Sequence, residues 1–283
     1  MRAFLFPGQG ARNVVPAWEW LRGRGAPTPL LDIALEVSGL DEAALLRDEG
    51  RALERTEVLQ PVLIALSLTV HALLRDVVAC DVVAGHSLGE LAAVSAAGAF
   101  DAETAVRLAA TRGQTMAAEN AKRPGGLVVV ASREEAAKFP ALELAAVNAR
   151  DEFVLGGALE VLPPLRRVPV SGAWHTSAMA GAVGPFREAL TSKQPRPLTT
   201  PLVRNLDGAE VRDCTSLPAQ LERTVEFVRV LDALVSRGVD EVVVLGPGLV
   251  LRGLLRRHGG ALRVHTTEDE VDLRRWLKDA LPR

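Results

Sequence analysis

The sequence predicts an α/β protein whose parallel-sheet core carries a small inserted subdomain. Short apolar runs alternate with helical patterns up to about residue 120, and this alternation is typical of parallel α/β sheets. The stretch Lys122-Arg123-Pro124-Gly125-Gly126 marks a boundary, and short strand-like runs follow it closely. We therefore expect a discontinuous large subdomain, residues 1–123 and 172–283, and a small subdomain, residues 124–171.

The elements of the large subdomain are predicted from local patterns. Strands are short apolar or β-branched runs, and helices are longer apolar or Ala-rich runs, one of them capped by Asp101. In order, we predict strand 3–6, helix 61–74, strand 82–84, helix 91–97, a helix from Asp101 to about Ala118, helix 185–190, strand 202–204, helix 228–236, strand 242–244 and helix 250–257.

The small subdomain has the order of a ferredoxin-like βαββαβ unit. Its predicted elements are strand 127–131, a short helix begun by Ser132, and strands 144–148, 153–155 and 167–170. The second helix is curtailed, because Pro163 and Pro164 end it soon after it starts.

The amino-acid composition disfavours some classes of function. A chain of 283 residues with 48% hydrophobic residues can bury a sizeable core. A net charge of −2 and a pI near 6.3 make nucleic acid an unfavoured partner. Cys80 and Cys214 fit no metal-ligand spacing, and the five histidines form no cluster, so we expect free buried thiols and no metal.

The same patterns favour a cytoplasmic protein without a membrane segment. The N-terminus reaches Pro7 after too few apolar residues for the core of a signal peptide. The longest apolar run, residues 61–74, is short for a bilayer and contains Ser67, Thr69 and His71. We predict that it is a buried helix.

The segment Gly85-His86-Ser87-Leu88-Gly89-Glu90 places one serine at the apex of a Gly-x-Ser-x-Gly turn. A sharp strand-turn-helix elbow activates a serine hydroxyl, because it holds the hydroxyl beside a base and main-chain N–H donors. The pentapeptide also occurs in ordinary turns, but here a predicted strand precedes it and a predicted helix follows it. These flanks favour the elbow.

Other segments extend this pattern. Phe4-Leu5-Phe6-Pro7-Gly8-Gln9-Gly10 begins as a strand and breaks into a glycine-rich loop, which alone would also suit a plain strand and turn. Further along the chain come Thr56-Glu57-Val58-Leu59-Gln60-Pro61, Thr111-Arg112-Gly113-Gln114, the stretch 170–179 that contains His175, and Leu245-Gly246-Pro247-Gly248. In this order, the segments resemble malonyl-CoA:acyl-carrier-protein transacylases and the acyltransferase domains of polyketide synthases. The resemblance covers nearly the whole chain and implies a hydrolase-like core with a ferredoxin-like insert.

The resemblance implies a Ser-His dyad formed by Ser87 and His175. A thioester carbonyl needs a nucleophile, a base that later returns the proton, and donors for the oxyanion. The N–H groups of Leu88 and Gln9 are the expected donors. The family orients its histidine through a main-chain carbonyl, which we expect in segment 225–227. Glu226 stands there in place of the usual glutamine, and its carboxylate would raise the pKa of a nearby imidazole.

Four further residues are expected to bind substrate. Arg112 can hold a free carboxylate through two charge-assisted hydrogen bonds, although an ordinary surface arginine is the alternative. Gln60 belongs to the Gln-Pro segment of the family. His86 competes with His175 as the base, but its place beside Ser87 favours a role in lining the cleft. Trp174 occupies the position where an aromatic residue accompanies malonyl selection, and a core tryptophan is the alternative.

The implied function is transfer of a malonyl group from coenzyme A, through a seryl ester, to the phosphopantetheine of an acyl carrier protein. We expect a monomer with no bound cofactor and with the coenzyme A thioester as substrate. A proofreading acyl hydrolase of the same fold is the nearest alternative, and a non-catalytic docking protein is disfavoured by the presence of the site residues. Arg252, Arg256 and Arg257 form a basic stripe that is either a solvated helix face or a carrier-protein contact.

Overall fold

The computed structural model describes residues 1–259 and 262–280, apart from the side chains of residues 48–50, 279 and 280. The strands among these residues are β1 (Arg2–Phe6), β2 (Val82–Gly85), β3 (Gly125–Val130), β4 (Glu143–Ala149), β5 (Glu152–Ala158), β6 (Leu202–Val203), β7 (Glu210–Val211), β8 (Glu241–Val244) and β9 (Arg263–Thr266). The α-helices are α1 (Val14–Gly23), α2 (Pro29–Ser38), α3 (Glu42–Leu46), α4 (Thr56–Leu74), α5 (Gly89–Ala96), α6 (Ala102–Lys122), α7 (Arg133–Ala136), α8 (Ala180–Ser192), α9 (Phe227–Ser236), α10 (Leu249–His258) and α11 (Glu270–Ala280). Short 3-10 helices lie at Arg47–Glu54, Leu159–Val161, Ser177–Met179 and Ala219–Glu222.

The large sheet confirms the predicted parallel α/β core. Its strand order is β7-β6-β2-β1-β8-β9, and every pairing is parallel except that of β7 with β6. Strand β1 is central, and residues 3–6 are almost fully buried, which explains their continuous apolar run. Because parallel strands end at one edge, the loop after β1 and the turn after β2 lie side by side.

Three glycines allow the loop and the turn to touch. A Cβ at Gly8 would overlap the main-chain oxygen of His86, and a Cβ at Gly89 would overlap that of Phe6. A Cβ at Gly85 would collide with the main chain of Gly89 itself. Only glycine fits at these close approaches, so the Gly-rich loop is packed directly against the serine turn.

Helix α4 confirms the predicted buried helix, although it begins at Thr56 rather than Pro61. Within the described residues it is the one helix that is long and apolar enough to cross a membrane, but 67% of that apolar window is buried inside the protein. It packs mainly against α2 and α6. Its hydrophobicity is therefore that of a core helix.

The small sheet differs from the predicted four-stranded unit. Its three strands are antiparallel in the order β3-β5-β4. The predicted strand 167–170 is reduced to one antiparallel bridge between Arg167 and Val128, and the second helix to the single turn Leu159–Val161. Pro163, Pro164 and Pro169 explain this loss, because proline donates no N–H to a helix or a ladder. The subdomain boundaries at 123/124 and 171/172 remain a prediction.

The ends of the chain contain elements that the sequence patterns did not predict. Helices α1 to α3 precede α4, and β9 with α11 follow α10, so the predicted helix 250–257 does not close the chain. Trp18 of α1 and Trp276 of α11 are both almost fully buried. Helices α1 and α2 pack against α4, and α11 packs against β9; none of them contributes a residue to the serine turn.

Candidate active site

Ser87 and His175 meet although 88 residues separate them in sequence. The hydroxyl oxygen of Ser87 lies 2.6 Å from Nε2 of His175. Both residues adopt left-handed backbone conformations, with φ of 52° and 62°, which are strained for residues other than glycine and typical of functional turns. The serine is therefore held at the apex of a sharp elbow and is hydrogen-bonded to an imidazole.

The carbonyl that orients His175 belongs to Gln220. The distance between His175 Nδ1 and the Gln220 main-chain oxygen is 2.7 Å, which leaves Nε2 as the acceptor for the serine proton. The prediction that this carbonyl lies in segment 225–227 is wrong, because Val225 pairs instead with Ala146 at the edge of the small sheet.

Glu226 does not reach the imidazole. Its carboxylate lies 3.5 Å from Arg229 in an ion pair at the start of α9. The pKa of His175 is lowered rather than raised. Burial is the main cause, the Arg112 cation is the second, and together they bring the pKa to about 3. His175 is thus a neutral imidazole at physiological pH, the form that can accept a proton.

Asn205 braces the serine turn from the next strand. Its Oδ1 accepts the N–H of Ser87 at 2.7 Å, and its Nδ2 donates to the oxygen of Gly85 at 2.6 Å. The N–H of Asn205 in turn donates to Glu90 at 2.7 Å. Asn205 is fully buried, so all three bonds are shielded from water.

Arg112 lies behind Ser87 and is not a surface residue. It is only 2% exposed, and its guanidinium donates to Oε1 of Gln60 at 2.9 Å and to Oε1 of Gln220 at 3.2 Å. A third N–H reaches the Ser87 hydroxyl at 3.4 Å. Burial lowers the pKa of Arg112 to about 10, opposed by Glu90, so the cation persists at neutral pH.

The predicted oxyanion donors flank the serine. Leu88 directly precedes α5, and Gln9 lies in the loop packed against the turn. Among the described residues, no protein acceptor takes the main-chain N–H of either residue. The side chain of Gln9 donates to Thr56 at 2.7 Å, and Gln60 donates to the same hydroxyl at 2.8 Å. The bond between Gln9 and Thr56 anchors the loop to α4.

A cleft of about 530 Å³ opens above Ser87 between the two sheets. His86 lines it and points away from the dyad, since its Nε2 lies 2.7 Å from Oδ1 of Asn148. Trp174 also lines the cleft and is 2% exposed. A Cβ at Gly172 would overlap the indole ring, so the glycine makes room for the tryptophan.

The described residues contain no group of three or more His, Cys, Asp or Glu side chains placed to hold a metal ion. Cys214 is buried and Cys80 half-buried, and both are free thiols. Burial raises the pKa of each thiol to about 11, so neither is a reactive thiolate.

Comparison with known proteins agrees with this geometry. The family described as "Acyl transferase domain" matches residues 27–197, more than half of the chain. The chain belongs to this family. It is 32% identical to the malonyl CoA-acyl carrier protein transacylase of Mycobacterium tuberculosis, over 96% of this chain and 98% of that protein. Over 93% of its length it is 30% identical to part of the phenolphthiocerol/phthiocerol polyketide synthase of the same species, and it spans about a fifth (19%) of that longer polypeptide.

Solved structures of this acyltransferase family share the fold. The malonyl-CoA:acyl carrier protein transacylase of Xanthomonas oryzae superimposes with a TM-score of 0.88 and 26% identity, over 99% of this chain and 98% of that one. The corresponding Mycobacterium tuberculosis structure gives 0.85 and 30% identity, over 96% and 98%. The predicted family and the parallel-sheet α/β core are therefore confirmed.

The sequence did not predict a role for Asn205 or Gln220, or the hydrogen bonds that Glu90 makes to both of them. Asn205 follows β6, a strand parallel to β2, and a polar residue at that strand end was a usable signal. Gln220 lies in the 3-10 helix Ala219–Glu222, and no local pattern marks it. Its role follows only from the fold.

Proposed function

We propose that this acyltransferase moves a malonyl group from coenzyme A to the phosphopantetheine thiol of an acyl carrier protein, in fatty-acid or polyketide biosynthesis. The similar transacylases named for this reaction cover nearly the whole chain. The observation that carries the proposal is the buried Arg112 cation within 3.4 Å of the Ser87 hydroxyl. We expect the enzyme to act as a cytoplasmic monomer without a bound cofactor.

In the first half-reaction, Ser87 attacks the thioester carbonyl. His175 Nε2 takes the hydroxyl proton as the Oγ–C bond forms, and the C–S bond breaks. The imidazolium then returns this proton to the departing coenzyme A sulfur. The N–H groups of Leu88 and Gln9 would stabilise the oxyanion, since no protein acceptor occupies either donor in the described structure.

In the second half-reaction, the carrier thiol replaces coenzyme A. His175 removes the thiol proton, the sulfur attacks the seryl ester, and the Oγ–C bond breaks as the proton passes to Ser87. The main-chain oxygen of Gln220, 2.7 Å from His175 Nδ1, stabilises the imidazolium in both halves.

Arg112 favours a dicarboxylic acyl group. A malonyl ester on Ser87 carries a free carboxylate three bonds from Oγ, and Arg112 Nη2 lies 3.4 Å from that oxygen. Two neutral amide oxygens hold the guanidinium. Among the described residues no carboxylate is bonded to it directly, and Glu90 acts on it only through space, so a substrate carboxylate can still pair with this cation. This arrangement distinguishes the proposal from an acyl hydrolase, which has no need of such a cation.

The partition of the acyl-enzyme tests the proposal. Wild-type protein is loaded with radiolabelled malonyl-CoA and chased with holo acyl carrier protein, while labelled carrier and free malonate are measured. We expect most of the label to reach the carrier thiol. Release of malonate as the main product, at saturating carrier, would support the hydrolase instead.

A further inference from the structure

Glu90 is a fully buried carboxylate with an uneven set of partners. Its Oε2 accepts the N–H of Asn205 at 2.7 Å and Nε2 of Gln220 at 2.9 Å. Its Oε1 has no hydrogen-bond partner among the described residues. Leaving a buried carboxylate oxygen unpaired is costly, so the contacts that Glu90 does make must offset this cost.

Gln220 connects Glu90 to the rest of the site. Its Nε2 donates to Glu90 and, at 3.2 Å, to the main-chain oxygen of Ser87. Its Oε1 accepts from Arg112 at 3.2 Å, and its main-chain oxygen faces His175 Nδ1 at 2.7 Å. One residue thus contacts the nucleophile, the base and the cation.

The groups next to the Gln220 side-chain amide, Glu90 on one side and Arg112 on the other, determine its orientation. Oε2 of Glu90 acts only as an acceptor, so the NH₂ end of the amide must face it and the oxygen end must face Arg112. Were the amide reversed, an N–H would face the Arg112 N–H groups and an oxygen would face the Glu90 oxygen. Both contacts would be repulsive.

We propose that Glu90 is a positioning residue that fixes the side-chain amide of Gln220, and through it aims Arg112 at the acyl group and the Gln220 carbonyl at His175. The part that concerns Arg112 rests on the proposed function, and the part that concerns His175 does not. Both hydrogen bonds to Glu90 use Oε2, so a proton on Oε1 leaves them intact. Burial raises the pKa of Glu90 to about 7, and the acceptor oxygen, rather than the charge, does the positioning.

The variants separate the acceptor from the charge. Glu90→Gln keeps a carbonyl oxygen that can occupy the Oε2 position, and Glu90→Ala removes the acceptor. Gln220→Leu removes the side-chain amide and keeps the main-chain carbonyl. Glu241→Gln is the matched control: Glu241 is a buried carboxylate bonded to Trp276 and Arg2 at the start of β8, the opposite end of the sheet from the serine turn. Glu90→Leu replaces Glu90→Ala if the smaller side chain prevents folding, which thermal unfolding reports.

Two readouts are measured for each variant. The first is the malonyl-to-acetyl ratio of kcat/KM, which reports Arg112. The second is the rate at which phenylmethylsulfonyl fluoride sulfonylates Ser87, which reports the Ser87–His175 geometry without any acyl substrate. If wild type does not accept malonyl-CoA the proposed function fails, and the sulfonylation rates still decide the role of Glu90.

We expect Glu90→Ala and Gln220→Leu each to lower the ratio by about tenfold or more and to slow sulfonylation. The double variant should be no worse than either single one, because both act through one amide. Glu90→Gln and Glu241→Gln should stay within about threefold of wild type. Additive losses in the double variant, or a loss in Glu90→Gln as large as in Glu90→Ala, would overturn the proposal.

Discussion

The floor and the mouth of the cleft use arginine in different ways. Beneath the floor, behind Ser87, Arg112 is 2% exposed and is fixed by hydrogen bonds to two glutamine side chains. At the mouth, Arg257 and Arg166 are more exposed and share the carboxylate of Glu152 at 2.9 and 3.1 Å, while the exposed Arg256 has no acidic partner among the described residues. Water and salt screen the electrostatic interactions of exposed cations, whereas a buried cation interacts much more strongly with a substrate group beside it. The floor should therefore set chemistry and selectivity, and the mouth should set encounter rates.

The largest effect should follow the loss of the base on the floor. His175→Ala should reduce both acylation and transfer by about four to six powers of ten, as for other members of catalytic dyads and triads. His86→Ala should be far milder, because His86 bonds to Asn148 rather than to Ser87. Single-turnover rates measure both variants, and a reversal of the two results would assign the base to His86.

The next effect should be selective for the acyl group. Arg112→Ala removes the counter-charge for the malonyl carboxylate and should cost malonyl transfer about 2–5 kcal/mol, the range for truncating one partner of a buried charge pair. Acetyl-CoA has no such carboxylate, so its transfer should be unchanged or faster. The ratio of the two kcat/KM values checks this.

Arg107→Ala is the matched control for this variant. Arg107 lies on the same helix, α6, but pairs with Glu36 and Glu103 at the surface. The ratio should be unchanged in Arg107→Ala. An equal ratio in wild type and Arg112→Ala would mean that the floor arginine does not bind substrate.

The smallest effect should come from the mouth. Arg256→Ala should raise KM for the carrier protein by roughly threefold to tenfold at low salt and leave kcat unchanged, because rim charges mainly affect encounter. The difference should vanish at high ionic strength. Arg123→Ala, an exposed arginine outside the cleft, serves as control. Equal KM values at low salt would leave the basic stripe as a solvated helix face.

The two regions also differ in how well the sequence predicts them. Ser87 was predictable because the strand, the turn and the helix that present it are contiguous, and the glycines required by close packing are part of the motif. His175 was identified by resemblance. His175 follows no strand of the large sheet: it lies just before the 3-10 helix Ser177–Met179 and meets Ser87 because the main chain of Gln220 and Leu221 holds it there.

Other contacts could not be read from the chain. Gln220 and Asn205 reach Ser87 across 133 and 118 residues, and their partners are main-chain atoms, which have no sequence signature. Glu226 was misplaced because the segment at Val225 extends the small sheet instead of the floor. In the small subdomain, prolines remove a predicted strand and helix, and the consequence for the cleft depends on packing that local patterns do not encode.

The central claim is that Ser87 carries the malonyl group, and intact-protein mass spectrometry tests it most directly. Wild type mixed with malonyl-CoA should gain the mass of one malonyl group, located on the peptide that contains Ser87. Ser87→Ala should gain none, and Arg256→Ala should be labelled like wild type. A malonyl adduct that persists in Ser87→Ala, or its absence from folded wild type, would contradict the account.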